Sequence, residues 1–360
     1  QHVPIASASR TSPRILSLRF TGEKHMSDYH GLLCTHWGHW RDLRYQALLR
    51  APLTTGQVRI RVRHAGVGFA VSLFVTGKYQ RKPPLPFTPG TEVAGEILEV
   101  GPGVSGWRPG DRVMAALDWG GFAEEVVTTA ATVYPVPSRL ALSAAAALPV
   151  TYGTVGAALM WRARLQPGET ILIHGAGGSL GMAAVHTARL LGATVIATAS
   201  SEAKRAAVLQ NGAHHVLPAD AASLPQAVKA LCARGGVDVV FDPVGGDLFD
   251  ASLRCAAVHA RLLVIGFAAG RIPQVPTNLV LVKNLSVLGF NYGQYIGWGL
   301  TDERHRHESQ VREVLSTLAS AMACGDMPLP VTQHFPMAQW LAALDTTMER
   351  RSVGKVMLDL

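Results

Sequence analysis

The stretch ETILIHGAGGSLGMAAVHTARLLGATVIATASSEAKR, Glu169 to Arg205, constrains the fold of this chain more than any other. An apolar run leads into Gly175, Gly177, Gly178 and Gly181, helical text follows, and a second apolar run, TVIATAS, closes the unit. Runs that are apolar throughout mark strands covered on both faces. Strand, glycine turn, helix and strand in that order make a β-α-β unit of a parallel, doubly wound sheet. Glycine lets the backbone turn tightly and lets a pyrophosphate approach the helix start, where free N–H groups and the helix dipole favour an anion. The pattern G-x-x-G-x-x-G at Gly175, Gly178 and Gly181 therefore predicts a dinucleotide on the turn. Read only as packing, the same glycines would let helix and strand approach closely.

A dinucleotide site that takes NAD places an acid about 20 residues on, at the tip of the second strand. Here the strand ends Ser200-Ser201, with Lys204 and Arg205 in the following helical turn. Hydroxyls and a lysine suit a 2′-phosphate, so NADPH is the expected cofactor. Glu202 competes for the acid's role, but first-turn acids are common for dipole reasons.

The rest of the composition narrows the function classes. With 48% apolar and 16% charged residues the chain has material for a large core, which excludes global disorder. The apolar stretch nearest to a membrane span, Leu140–Val150, is Ala-rich, interrupted at Pro149, and reads as a buried segment. The net charge of +8 is scattered rather than gathered on one face, against a nucleic-acid binder. Its densest patch, ERHRHE at Glu303–Glu308, carries its own acids and reads as a solvated face or loop. Cys34, Cys232, Cys255 and Cys324 lack metal-ligand spacing and read as reduced thiols. Residues 1–26 read as an extension outside the fold. Residues 1–25, Arg- and Ser-rich, have the composition of an organelle transit peptide or a non-native start. The location expected is cytoplasmic, or mitochondrial if those residues are a transit peptide.

Short alternating runs between Gly31 and Pro137 (VRIRVRHA, VAGEILEV, DRVMAAL, AEEVVT) predict a compact β-unit. Helical text at Ala141–Leu165 leads into the α/β unit, and beyond Asn291 come helices near Ser309–Cys324 and Met337–Arg350 and the strands VTQHF and GKVMLDL. The fold class expected is α/β: a β-rich unit, 27–145 and 292–360, around a doubly wound parallel-sheet unit, 146–291.

These residues resemble the medium-chain dehydrogenase/reductase superfamily, and within it the zinc-free quinone oxidoreductases related to zeta-crystallin. The signature is carried by Gly168-Glu169, Leu172, Ala176, Gly178, Gly181 and Arg189, with support from GWRPGDRV, ALPVTYGT, VDVVFDPVGGDLF and RSVGKVMLDL. The resemblance implies cofactor contacts at Tyr79, Thr154, Gly175, Gly177, Gly178, Ser179, Leu180, Gly181, Ser200, Ser201, Lys204, Gly266, Phe267, Asn291 and Lys355. It implies that the β-rich unit is a GroES-like catalytic domain and the parallel-sheet unit a Rossmann domain, with a cleft between them and a homodimer through the last Rossmann strand, Leu285–Phe290. Relatives read G-V-N-F-A-D in the substrate pocket, whereas this chain has Gly68 and Val71 in place of the amide and carboxylate. His186 stands at a usual glutamine, and Ala219 at an aromatic or imidazole that often clamps the 2′-phosphate.

Zinc-dependent relatives carry G-H-E where this chain reads Gly90-Thr91-Glu92, and the four-cysteine lobe is missing. A catalytic zinc needs three protein ligands. The 14 histidines show no spacing that rebuilds such a site, so no metal is expected.

Hydride transfer from a nicotinamide needs position more than side-chain chemistry. Tyr79 is the candidate to line the cleft, orient substrate or supply a proton. The activity expected is NADPH-dependent, zinc-independent reduction of quinones or α,β-unsaturated carbonyls. Two alternatives stay open: an enoyl-thioester or other alkene reductase, and an NADPH-binding protein with little turnover.

Overall fold

The computed structural model describes residues 29–360, so the expectations for residues 1–26 lie outside the described residues. β1 (Tyr29–Leu33) and β2 (Arg44–Leu48) form an antiparallel pair. The β-unit follows: β3 (Gln57–Val67), a short helix α1 (Ala70–Val75), β4 (Glu92–Val100), β5 (Arg112–Ala116), β6 (Glu125–Thr129) and β7 (Val133–Pro135).

Next comes a helical run, Leu142–Arg162, containing α2 (Leu142–Ala145) and α3 (Gly153–Ala157). Pro149 cannot donate to a helix ladder. The run passes it by widening, so that Tyr152 N–H reaches back five residues to the Ala147 carbonyl at 3.1 Å. The sequence suggested an interruption at Pro149, and this widening is why the helix continues. By length and composition the run could cross a bilayer, but its apolar window is 78% buried inside the protein, as a core helix would be.

The α/β unit has strands β8 (Thr170–Ile173), β9 (Thr194–Ala199), β10 (His215–Pro218), β11 (Val237–Asp242), β12 (Ala256–Val264) and β13 (Ser286–Gly289). Its helices are α4 (Ser179–Leu190), α5 (Glu202–Gln210), α6 (Leu224–Leu231), α7 (Gly246–Cys255) and α8 (Thr277–Lys283). All neighbouring strands are parallel, in the order β10-β9-β8-β11-β12-β13. Strand order reverses between β8 and β11, and ligands of such sheets sit in the crevice beyond the carboxyl ends of those strands.

The chain returns through α9 (Arg304–Cys324), β14 (Thr332–Pro336), α10 (Trp340–Met348) and β15 (Lys355–Asp359). β14 and β15 complete the barrel sheet in the order β14-β15-β3-β4-β5-β7, with β6 also on β3. Separate cores fill the barrel and one face of the parallel sheet, and a third links the other face to α9 and the helical run. Hydrophobic burial thus accounts for both units and for the joint between them.

The basic patch expected to be solvated contains an exception. Arg304 is buried, because its guanidinium donates to Asp118 Oδ1 at 2.9 Å and to Asp302 Oδ1 at 2.8 Å. A buried guanidinium persists when its donors meet carboxylates in this way. Asp118 lies far away in sequence, so the text around Arg304 alone could not show the pair.

Candidate active site

The glycine turn begins at Gly175, with φ +60°, a conformation that glycine adopts freely. Gly178 caps α4; among the described residues no side chain caps that helix, and no acid occupies its first turn. The amides of Ser179, Leu180 and Gly181 are thus left to an outside acceptor. A Cβ on Gly181 would fall against the Gly175 carbonyl oxygen and 2.5 Å from the Ala176 Cα. Gly178 is different, since a Cβ there would meet only the Gly175 oxygen at 3.4 Å. The turn is therefore a tight cradle with open space over Gly178, the shape a pyrophosphate needs.

At the tip of β9, Ser201 caps α5, its hydroxyl accepting from Lys204 N at 3.3 Å. Ser200 is exposed beside it, and Glu202 sits in the first turn of α5. Lys204 lays its stem over Gly177, where a Cβ would come within 2.9 Å of it. Its ammonium donates to the Arg350 carbonyl oxygen at 2.7 Å. Burial, and then the Arg350 charge, push the Lys204 pKa below its ordinary value.

Arg350 is a residue the sequence reading missed. It has φ +58°, and its guanidinium donates to the Ala268 carbonyl in the loop after β12. That loop carries Gly266 and Phe267; Gly266 lies against Pro243, and Phe267 is exposed. Gly354 N donates to the Gly177 carbonyl at 2.9 Å, so the turn before β15 lies directly on the glycine turn. Two cations meet here with no carboxylate hydrogen-bonded to either, among the described residues. That arrangement suits a phosphate.

The expected substrate side has two layers. Tyr79 stacks on Phe74 with centroids 4.3 Å apart and meets Trp298 edge-on at 6.4 Å. Burial raises the Tyr79 pKa, so its phenol keeps its proton at neutral pH. Val71 is 2% exposed in the barrel core, so the structure does not bring it to the open cleft. Gly68 is open: the nearest atom to a Cβ there is Lys355 Nζ at 3.8 Å.

Lys355 is itself 3% exposed and forms an ion pair with Glu92 Oε1. The Glu92 carboxylate also accepts from Val150 N at 3.1 Å, Thr151 N at 2.9 Å and Thr151 Oγ1 at 2.8 Å. Glu92 is the acid of Gly90-Thr91-Glu92, and here its charge is met by a lysine.

Thr154 lies on α3, half-buried, and Asn291 caps the turn Tyr292–Ile296, accepting from Gly293 N at 3.0 Å. Tyr152 and His186 form a buried pair, Oη to Nδ1 at 2.9 Å, and burial lowers the His186 pKa to about 4. Ala219 directly follows β10 and offers neither ring nor charge.

Comparison with known proteins places this geometry. Residues 54–138 match the family described as alcohol dehydrogenase GroES-like domain, and residues 179–308 match that described as zinc-binding dehydrogenase. Quinone oxidoreductase-like protein 2 of Rattus norvegicus is 37% identical over 353 residues, 98% of this chain and 98% of its own length. A mycobacterial protein solved in complex with NADPH superposes with a TM-score of 0.83 at 28% identity, covering 92% of this chain and 100% of that one. The CurK enoyl reductase superposes at 0.81 with 25% identity, over 92% of this chain and 99% of that one. Two matched domains and a relative aligned along nearly the whole length make this chain a member of the quinone oxidoreductase-like proteins of the medium-chain dehydrogenase/reductase superfamily.

Proposed function

We propose that this oxidoreductase uses NADPH to reduce quinones or α,β-unsaturated carbonyls without a metal in its cleft. The observation that carries the reading is the pair Lys204 and Arg350 beside an acid-free strand tip and an uncapped helix start. The residues fit the cofactor. Amides at Ser179, Leu180 and Gly181 would hold the pyrophosphate, and Lys204, Arg350 and Ser200 the 2′-phosphate. Bound NADPH supplies a hydride from its nicotinamide. The Phe74–Tyr79–Trp298 cluster supplies an apolar wall that excludes water from the reacting centre. Tyr79 holds a proton on Oη that can be donated to a substrate oxygen as negative charge grows there.

The test is cofactor titration by fluorescence, followed by NADPH consumption with a panel of quinones, enones and enoyl thioesters. NADPH is expected to bind much more tightly than NADH. Lys204→Ala should weaken NADPH by about 1.5–3 kcal/mol, the scale of a charged hydrogen bond, and leave NADH nearly unchanged. Equal affinity for the two cofactors in the wild type would remove the reading.

The open space at Gly68 sets the substrate preference. Hydrophobic quinones or long-chain enones are expected to outperform small polar quinones. Gly68→Asn has room, with no atom nearer its Cβ than 3.8 Å, and should move the ranking several-fold towards small quinones. An unchanged ranking would take Gly68 out of the substrate pocket. The openness at Gly68 and the likeness to an enoyl reductase favour enoyl thioesters as the second substrate class.

We also infer a homodimer. Among the described residues β13 is a free edge of the parallel sheet, and α8 beside it exposes Leu281 and Val282 at 77% and 76%. An unpaired apolar edge of this kind is usually covered. The domain limits 27–145 with 292–360, and 146–291, are part of the same reading.

A further inference from the structure

We propose that His64, His334 and Asp359 bind one borderline divalent transition ion, with zinc as the expected occupant, at a site on the barrel sheet apart from the cofactor cleft. The three residues stand on three adjacent strands. Asp359 on β15 is the ladder partner of His64 on β3 and of Pro336 on β14, and His334 lies two residues before Pro336. Both imidazoles point Nδ1 at one carboxylate oxygen: Asp359 Oδ1 is 2.7 Å from His64 and 2.8 Å from His334. The ligating atoms all lie within 4.8 Å of one another.

Two imidazole nitrogens and one carboxylate oxygen are a ligand set for zinc, and for nickel or copper by the same chemistry. Zinc holds such ligands at about 2.0–2.2 Å, so side-chain rotations on a fixed sheet suffice to close the site. His64 and Asp359 are half-buried and His334 is exposed, which leaves the fourth position to water. Ligation through Nδ1 needs each neutral ring in its Nε2–H tautomer, so the Nδ1 proton facing the carboxylate is exchanged through solvent for one on Nε2 as the ion enters. Each ring then keeps its proton on Nε2. For His334 that form already has an acceptor, Thr332 Oγ1 at 3.0 Å. An outer partner of this kind fixes ring orientation and tautomer at metal sites.

The sequence expectation of no metal rested on the cleft motif, the missing cysteine lobe and the spacing of the histidines; this cluster departs from it because ladder pairing, not spacing, brings His64, His334 and Asp359 together. Lys355 is four residues from Asp359 along β15, roughly 13 Å at strand rise. An ion here would pin β14, β15 and β3 together without entering the hydride-transfer path.

The test uses the full chain stripped with a chelator. Cobalt(II) is titrated while its visible absorption is followed, zinc is added as competitor, and bound ions are counted by equilibrium dialysis. One ion per chain is expected. His64→Gln and His334→Gln should each weaken binding by at least about tenfold. Zinc should raise the melting temperature of the wild type and not of either variant. NADPH consumption should be equal in stripped, zinc-loaded and variant protein. No saturable binding, or binding that neither substitution weakens, would overturn the proposal. A surface hydrogen-bonded cluster without metal affinity gives the first of these results.

Discussion

Lys355→Met is expected to destabilise the protein by about 3–5 kcal/mol, the scale of leaving one partner of a buried ion pair alone. Glu92 would keep its three donors from Val150 and Thr151 but lose its counter-charge in a site with 2% exposure. The pair has been given room: a Cβ on Gly66 would lie 2.7 Å from Glu92 Cγ and 2.8 Å from Lys355 Cε. The double variant Glu92→Gln, Lys355→Met removes both charges and should recover most of the loss. Urea midpoints at constant slope measure both. A single variant as stable as the wild type would show that the pair contributes nothing to the fold.

Gly181→Ala should lower NADPH affinity by at least about a hundredfold, near 2.7 kcal/mol, and also lower the melting temperature. The new methyl group has no free volume, because the Gly175–Ala176 backbone occupies it. Overpacking of this kind costs about 1–3 kcal/mol by itself. Gly178→Ala separates the two effects. The protein accommodates that Cβ at 3.4 Å, so its stability should hold while the ligand loses its approach. If Gly181→Ala melts and binds like the wild type, the turn is not the close contact described.

What the sequence showed, and what it did not, follows the range of the interactions. The glycine turn, the Ser200-Ser201 strand tip and Lys204 are neighbours in the chain, and local pattern exposes them. The parallel, doubly wound character of the sheet followed from alternating strands and helices, whereas its strand order did not. Arg350 was invisible because it reaches Lys204 from 146 residues away. Glu92 and Lys355 were legible as motif residues but not as partners. Val71 was read as a pocket residue from a motif position, but helix α1 turns its side chain into the barrel core. His64, His334 and Asp359 meet only through ladder pairing, which no spacing in the text records.

β15 lies between β14 and β3, and its Val356 pairs with Val67. During synthesis, β3 therefore emerges long before its neighbour exists. At roughly 5–20 residues per second the wait is on the order of tens of seconds, long enough for the parallel sheet to be made in between. The first part of the barrel must survive that interval with one ladder open. Truncation or stalling before β15 would leave an unpaired strand edge on a chain whose cofactor unit was already complete. Such a product would meet other chains, or the quality-control machinery, through β3.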